Sequence, residues 1–375
     1  MLRVSDFLFG FNVLHLLLLS ITQKRHSKIF CNIVKLFLSG LSAVKVRTFL
    51  ISLILFCLIF PGIVGLAQDP EFSQFYANPM YLNPALAGVT ICPKISGNYR
   101  NQWPSVGSAY NTYNASYDQY VEFLHGGVGL LFTADRTGGG NLNTTSISLI
   151  YAYKFNITSH LAASGAMRVG YYQRRLVWEN LTFEDMIDPQ QGFVLPTSEK
   201  APDQATVMAP DFSAGVFLGY DDLVYGGVSV DHLSQPKNGF YTDQNSKLYL
   251  KFTIHAGSVI NLRKGGSFDE EREFSISPNI LYQQQFKFHQ LNLGCYLTID
   301  PFVGGLWFRY NFENVDAIIP MVGLHYKNLR VGYSYDFTLS RLKGASGGAH
   351  EISASWQFPC IEKRRVIKAI KCPRF

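Results

Sequence analysis

The side chains that most often carry catalysis are widely separated in this sequence. After residue 67 the histidines are His125, His160, His232, His255, His289, His325 and His350. None lies at a recognisable spacing from a serine or an aspartate, so no pair of nucleophile and general base is indicated. Neither an HExxH motif nor a Cys/His cluster with zinc spacing occurs. We therefore expect no catalytic residue, no metal site and no cofactor, and we predict that the protein is not an enzyme.

Two further patterns could in principle bind ions. Glu184, Asp185 and Asp188 could hold a divalent cation, but they fall in a long segment without a strand pattern. A solvated loop is the simpler interpretation of these acids. The glycines at 138–140 precede a strand pattern rather than a helix, so they do not form a phosphate-binding loop.

Four cysteines follow residue 67: Cys92, Cys295, Cys360 and Cys372. Cys295 falls on the apolar face of a strand pattern, and we expect it to be unpaired. The other three are expected at one end of the molecule, in an oxidising compartment where disulfides form. A Cys360–Cys372 bond is our first choice and a Cys92–Cys360 bond the alternative, because connectivity is not fixed by sequence.

The first 67 residues have the order of a secretory signal peptide. Basic residues precede the apolar run 49–60, and small residues follow it. The run is shorter than the ~20 apolar residues that a transmembrane helix requires. We predict that the leader is removed by cleavage between Ala67 and Gln68. Residues 1–44 fit no part of this pattern, and a start codon assigned too far upstream would explain them.

From Lys94 onward, apolar and polar residues alternate with a period of two, which predicts β-strands with two different faces. Val331, Tyr333 and Tyr335, for example, alternate with Gly332 and Ser334. The pattern gives fourteen segments: 94–103, 110–119, 126–135, 143–155, 160–173, 211–221, 223–231, 248–262, 272–284, 287–299, 302–311, 315–326, 328–338 and 348–358. Most are close to the roughly 9–11 residues of a tilted membrane strand.

The connections and the composition support a membrane barrel. Long loops alternate with tight turns, as in outer-membrane barrels with short periplasmic turns. Only 16% of residues are charged, against roughly 25% in ordinary globular proteins. A soluble β-sandwich would also alternate, but its outer face would carry more charge. We predict an all-β fold over residues 94–358, an antiparallel transmembrane β-barrel of about 14 strands in contact with outer-membrane lipid.

The two ends of the mature chain differ from the barrel pattern. Segment 68–93 combines prolines, which disfavour a central strand, with aromatic residues that are too apolar for a free tail. We expect it to be a plug or periplasmic lid, or a docking strip for a periplasmic partner. The tail 359–375 is basic, and its cations are Lys363, Arg364, Arg365, Lys368, Lys371 and Arg374. It is either a solvated tail or a periplasmic docking site for an acidic partner, and we expect no nucleic-acid binding.

Several passages resemble a known family. The segment from Gln68 to Gly88 reads QDPEFSQFYANPMYLNPALAG, and similar passages occur at 180–183, 188–193, 227–236, 331–336 and 348–353 and in the final four residues. They resemble the PorP/SprF outer-membrane proteins of type IX secretion and gliding in Bacteroidetes. The motif residues carried by the first passage are Phe72, Gln74, Tyr76, Pro79, Leu82, Asn83, Pro84 and Gly88.

The resemblance implies a non-enzymatic role. Such a protein would help to export, retain or present a large secreted, adhesin-like protein that carries a C-terminal sorting domain. Its further partners would be periplasmic ring and lipoprotein components of the secretion machinery. The alternative from another class is a passive channel for small solutes, which a barrel of this size could form.

Overall fold

The computed structural model describes residues 69–360, apart from residues 222, 243–245, 263–273, 313 and 341–345. The predicted leader with its cleavage site at Ala67 and Gln68 lies outside the described residues, as do Cys372 and the other residues of the predicted tail after 360. Within the described ranges, no helix is long and apolar enough to cross a membrane.

The described residues form a closed antiparallel barrel of fourteen strands, as predicted. In chain order the strands are β1 Lys94–Gln102, β2 Tyr110–Val121, β3 Gly126–Thr137, β4 Leu142–Asn156, β5 Leu161–Leu176, β6 Thr206–Tyr220, β7 Val224–Asp231, β8 Lys251–Ser258, β9 Phe274–Gln285, β10 Phe288–Ile299, β11 Phe302–Asn311, β12 Asn314–Tyr326, β13 Leu329–Thr338 and β14 Ala349–Gln357. After a one-residue break, β8 continues as Ile260–Asn261. Each strand pairs with its neighbours in sequence, and β1 closes the barrel on β14 from Lys94↔Gln357 to Gln102↔Ala349.

The strand alternation separates an apolar outer face from a largely polar interior. In β4, Leu149 is 68% exposed on the outside, while Ser148 and Lys154 are buried inside. Because large apolar side chains cover the outside of most strands, this surface suits the hydrocarbon of a membrane rather than water.

The two ends of the barrel differ. At one end, here called the short-turn end, β4 joins β5 through residues 157–160, and β2 joins β3 through a turn that contains the 3-10 helix Glu122–Leu124. At the other, the long-loop end, the connections 177–205 and 232–250 are long. In outer-membrane barrels the short turns face the periplasm and the long loops face outward.

Loop 177–205 has its own local structure. It contains the 3-10 helices Trp178–Asn180 and Glu184–Met186 and a small antiparallel ladder between Ile187–Asp188 and Gly192–Phe193. At the same end, the three glycines Gly138–Gly140 make the turn between β3 and β4.

Residues 69–88 lie inside the barrel and are called the plug below. The plug forms the 3-10 helix Phe75–Ala77, the α-helical turn Pro79–Leu82 and the 3-10 helix Pro84–Leu86. Proline begins the last two, because its fixed φ angle suits the first helical position and its missing N–H is not needed there. Apolar plug side chains and inward-facing barrel residues such as Trp307 and Phe217 form one buried core.

The disulfide differs from our first choice. Cys360 bonds to Cys92, with a Cα–Cα distance of 4.8 Å, and not to Cys372. The reason is the closure of the barrel. Pairing of β1 with β14 brings Cys92, just before β1, close to Cys360, just after β14. Cys295 has a free thiol, as predicted.

Candidate functional site in the barrel lumen

The plug crosses the lumen from the long-loop end to the short-turn end. The backbone N–H of Asp69 donates to Gln285 Oε1 (3.0 Å), at the long-loop end of β9. The backbone N–H of Gly88 donates to Asp118 Oδ2 (2.9 Å), near the short-turn end of β2. Of the eight motif residues, Pro79 is half-buried and the rest are buried: Phe72, Gln74, Tyr76, Leu82, Asn83, Pro84 and Gly88.

Ser73 occupies a charged site in the outer half of the lumen. Its hydroxyl accepts from Arg100 Nη1 (2.7 Å) and Arg309 Nη2 (2.7 Å) and donates to Asp336 Oδ2 (2.8 Å). A serine hydroxyl has one donor and two acceptor positions, so its hydrogen-bonding capacity is used completely. Both guanidinium groups also bond to Asp336 at 2.9 Å, which pairs the charges of the cluster with each other.

Barrel residues next to this cluster bond to the plug backbone and to the side-chain amide of Gln74. The Glu351 carboxylate accepts the backbone N–H groups of Ser73 (2.6 Å) and Gln74 (3.1 Å). The Gln74 amide nitrogen donates to the Glu351 carbonyl oxygen (2.9 Å) and to Ser334 Oγ (3.2 Å), and its oxygen accepts from Ser353 Oγ. Since Gln74 is fully buried, these bonds replace the water that its amide loses.

A histidine ties the start of the plug to the barrel. His232, just after β7, donates from Nε2 to Asp69 Oδ2 (2.7 Å) and from Nδ1 to Asp211 Oδ2 (2.9 Å). Burial would lower the pKa of His232, but the two carboxylates raise it to about 10. Burial would raise the pKa of Asp69, but the positive charges of His232 and Lys251 hold it below its ordinary value. Both partners are therefore charged at neutral pH.

The middle of the plug packs through aromatic rings. Phe75 meets Trp307 edge-to-face with ring centroids 4.9 Å apart. Tyr76 makes edge-to-face contacts with Tyr225 (5.9 Å) and Tyr296 (6.3 Å). Such pairs stabilise a core by about 0.5–1.5 kcal/mol beyond the area they bury. This region gives the plug its apolar contact with the barrel.

The half of the plug nearer the short-turn end lies very close to the barrel backbone. A Cβ atom added to Gly127 would lie 2.1 Å from the carbonyl oxygen of Ala87, and one added to Gly215 would lie 2.2 Å from Asn83 Oδ1. Glycine at both positions is therefore what allows this approach. Asn83 Nδ2 donates to the carbonyl oxygen of Val216 (3.1 Å) and lies 3.2 Å from Nε2 of His255.

A cavity of about 60 Å³ remains beside the plug in the outer half of the lumen. Its walls include Asp69 and Tyr81 of the plug and Asp135, Arg168 and Ser146 of the barrel. A cavity needs roughly 10–15 Å³ to hold one water molecule, so this space fits a few waters. In the part of the chain that the structure describes, no cluster of His, Cys, Asp and Glu could hold a metal ion.

Sequence reasoning missed the barrel residues that hold the plug. Arg100, Asp336 and Glu351 lie on strands whose inward face is otherwise mostly Ser, Thr, Asn and Gly, and Arg309 follows the inward-facing Trp307 on β11. A charged residue on an inward strand face was the signal that could have identified them, because a buried charge requires a partner of opposite charge or a hydrogen-bonding group. The arrangement holds the plug inside the lumen, and the polar groups of Arg100, Arg309, Asp336 and Glu351 make hydrogen bonds to it or to one another.

The family comparison agrees with the resemblance of the N-terminal passages. Residues 64–356 match the model of the family described as type IX secretion system membrane protein PorP/SprF. The chain belongs to this family. No curated protein matches the chain. Family membership and the lipid-suited barrel agree that this PorP/SprF protein lies in the outer membrane.

The chain is also similar, at low identity, to several solved outer-membrane proteins. The toluene transporter TbuX of Ralstonia pickettii is 10% identical with a TM-score of 0.45, and the match covers 75% of this chain and 93% of TbuX. The P. putida toluene transporter TodX is 10% identical with a TM-score of 0.41, covering 74% and 92%. Outer membrane protein Omp33 of Acinetobacter baumannii is 8% identical with a TM-score of 0.38, covering 72% and 100%.

Proposed function

We propose that this type IX secretion component is a non-enzymatic scaffold that helps to export, retain or present a large secreted protein at the cell surface. The observation that supports the proposal most is the plug. Its buried contacts from Ser73 to Gly88 occupy the lumen, which supports a barrel wall that positions loops and a bound segment over one that conducts solutes. The cargo would be an adhesin-like protein with a C-terminal sorting domain, and a role in gliding would follow from such a cargo.

A cell-surface assay tests this function directly. In the host bacterium, deletion of the gene should release one large secreted protein from the cell surface into the medium, and expression of the intact chain should return it. Quantitative mass spectrometry of the surface and medium fractions measures the release. An unchanged surface proteome would refute the scaffold.

A second measurement separates the scaffold from the passive channel. The purified barrel should show little open-pore current in planar bilayers, because the plug fills the lumen. A steady conductance of porin size from the intact chain would favour the channel. Weakening the plug with Ser73→Ala should raise the frequency of brief openings, whereas Glu122→Lys in a short turn should not.

The periplasmic partners are proposed at the short-turn end. The disulfide Cys92–Cys360 lies at this end, which supports a tail that meets ring and lipoprotein components of the machinery there. Deletion of residues 361–375 should abolish co-purification of these components while the barrel keeps its heat-modifiable mobility on gels. Unchanged co-purification would remove the tail from the proposal.

A further inference from the structure

The loop that connects β5 to β6, residues 177–205, presents apolar side chains beyond the ends of its strands. The large apolar residues on its surface are Ile187 (46% exposed), Phe193 (56%), Val194 (56%) and Leu195 (42%). They lie on and directly after the small ladder of the loop, outside the barrel sheet. Contiguous exposed apolar side chains on an ordered element, rimmed by polar residues, are typical of interaction sites.

The loop is held in one conformation by its own hydrogen bonds. Asp185 accepts from the hydroxyls of Thr197 (2.9 Å) and Ser198 (2.9 Å), and the backbone N–H of Val194 donates to the carbonyl oxygen of Met186 (3.0 Å). These bonds fix the apolar residues relative to the 3-10 helix before any partner arrives. A surface ordered in advance loses less conformational entropy when it binds.

The second long loop supports the first. The backbone N–H and hydroxyl of Thr242 donate to Asp203 Oδ2 at 2.9 and 2.8 Å, and the Tyr241 hydroxyl donates to the carbonyl oxygen of Lys200 (2.8 Å). The backbone N–H of Gln204 donates to the carbonyl oxygen of Phe240 (3.1 Å). The C-terminal part of loop 177–205 is therefore bonded to loop 232–250.

The net negative charge of loop 177–205 indicates what kind of partner the loop would bind. Loop 177–205 carries six acidic residues against one basic residue, Lys200, a net charge of −5 in a chain whose net charge is +6. The acids are Glu179, Glu184, Asp185, Asp188, Glu199 and Asp203. Anionic lipid headgroups would be repelled by this field, and so would the same loop of a second copy. A positively charged surface would be attracted.

We infer that loop 177–205 is the docking surface for a basic domain of the exported protein, one with an apolar centre and a rim of Lys or Arg. The inference rests on the proposed function and specifies the partner chemistry. The acidic rim accelerates association and sets the orientation, and the apolar centre provides the contact that keeps the partner bound. The site faces outward with the long loops, on the side where a retained surface protein would stand.

Two sets of variants test the two parts of the surface. One set changes Glu179, Glu184 and Glu199 to Lys, because no other side chain depends on them in the described structure. The other changes Phe193, Val194 and Leu195 to Ser and leaves the backbone bonds of the loop in place. Glu122→Lys, an exposed acid at the short-turn end, is the matched control. Heat-modifiable mobility on gels shows that each variant has folded.

The probe is the purified protein that leaves the cell surface when the gene is deleted. We expect its association with the barrel in lipid nanodiscs to be about tenfold slower or more for the lysine set, with the salt dependence of the wild-type rate lost. The serine set should instead accelerate dissociation, and both sets should release the protein into the medium. Glu122→Lys should behave as wild type.

The outcomes separate this inference from the proposed function. If gene deletion releases a protein but both loop sets retain it, the docking surface is wrong while the scaffold stands. If deletion releases nothing, the scaffold itself fails and takes this inference with it. Salt-independent association of the wild type, or binding of the wild-type loop to protein-free anionic vesicles or to a second barrel instead of the probe, would also overturn the inference.

Discussion

Removing the Ser73 hydroxyl should loosen the plug more than its small size suggests. Ser73→Ala deletes two bonds from guanidinium groups and one to a carboxylate, all between 2.7 and 2.8 Å. Hydrogen bonds to charged groups contribute about 1.5–3 kcal/mol each. The arginines keep their bonds to Asp336, so the full sum of the three does not apply. We expect a loss of about 2–4 kcal/mol in the free energy of unfolding.

The measurement is urea unfolding in lipid vesicles, followed by heat-modifiable mobility and by tryptophan fluorescence. Ser164→Ala is the matched control, because the Ser164 hydroxyl is equally buried and has no hydrogen-bond partner within the described residues. It should change the free energy of unfolding by less than about 0.5 kcal/mol. If Ser73→Ala also lies within that margin, or if the two variants lose equal stability, the charged cluster does not hold the plug.

Three further perturbations follow from the structure. The charged His232 side chain contributes fully to the free energy of unfolding below its unfolded pKa, about 6.5. This contribution is lost as the pH rises toward the folded pKa of about 10, so the free energy of unfolding should fall across that window. His232→Gln should remove this pH dependence. Gly127→Ala places a Cβ 2.1 Å from a plug carbonyl and should cost about 1–3 kcal/mol, whereas Gly165→Ala, with nothing within 4 Å, should not destabilise. Cys92→Ser should free one thiol to alkylation and cost about 2–5 kcal/mol, and Cys372→Ser should leave the disulfide intact.

The strands could be predicted because their cause is local. Each residue of β4 or β13 is either lipid-facing or lumen-facing, so the alternation is visible within a dozen residues of sequence. β6 shows the limit: it starts at Thr206 rather than at the predicted 211, because pairing with β5 extends it through Pro210. A partner strand supplied what the local pattern did not indicate.

The plug contacts could not be predicted in the same way. Ser73 and Glu351 are 278 residues apart in sequence, and neither has a local pattern that points to the other. The disulfide depends on the same long-range closure, since Cys92 meets Cys360 only after β1 has paired with β14. Composition indicated that segment 68–93 would not be a strand or a free tail, but its partners followed only from the closed barrel.

The direction of the plug constrains how this protein is assembled. Residues 69–88 run the whole length of the lumen. Arg100, Glu351 and Ser353 bond to them and belong to β1 and β14, the pair of strands that closes the barrel. A completed cylinder would have to admit a bulky aromatic segment end-on through its own interior. Wrapping an open sheet around the segment avoids that barrier. The plug would then be the surface on which β1 and β14 pair, and the Cys92–Cys360 disulfide would hold that pair together at the short-turn end.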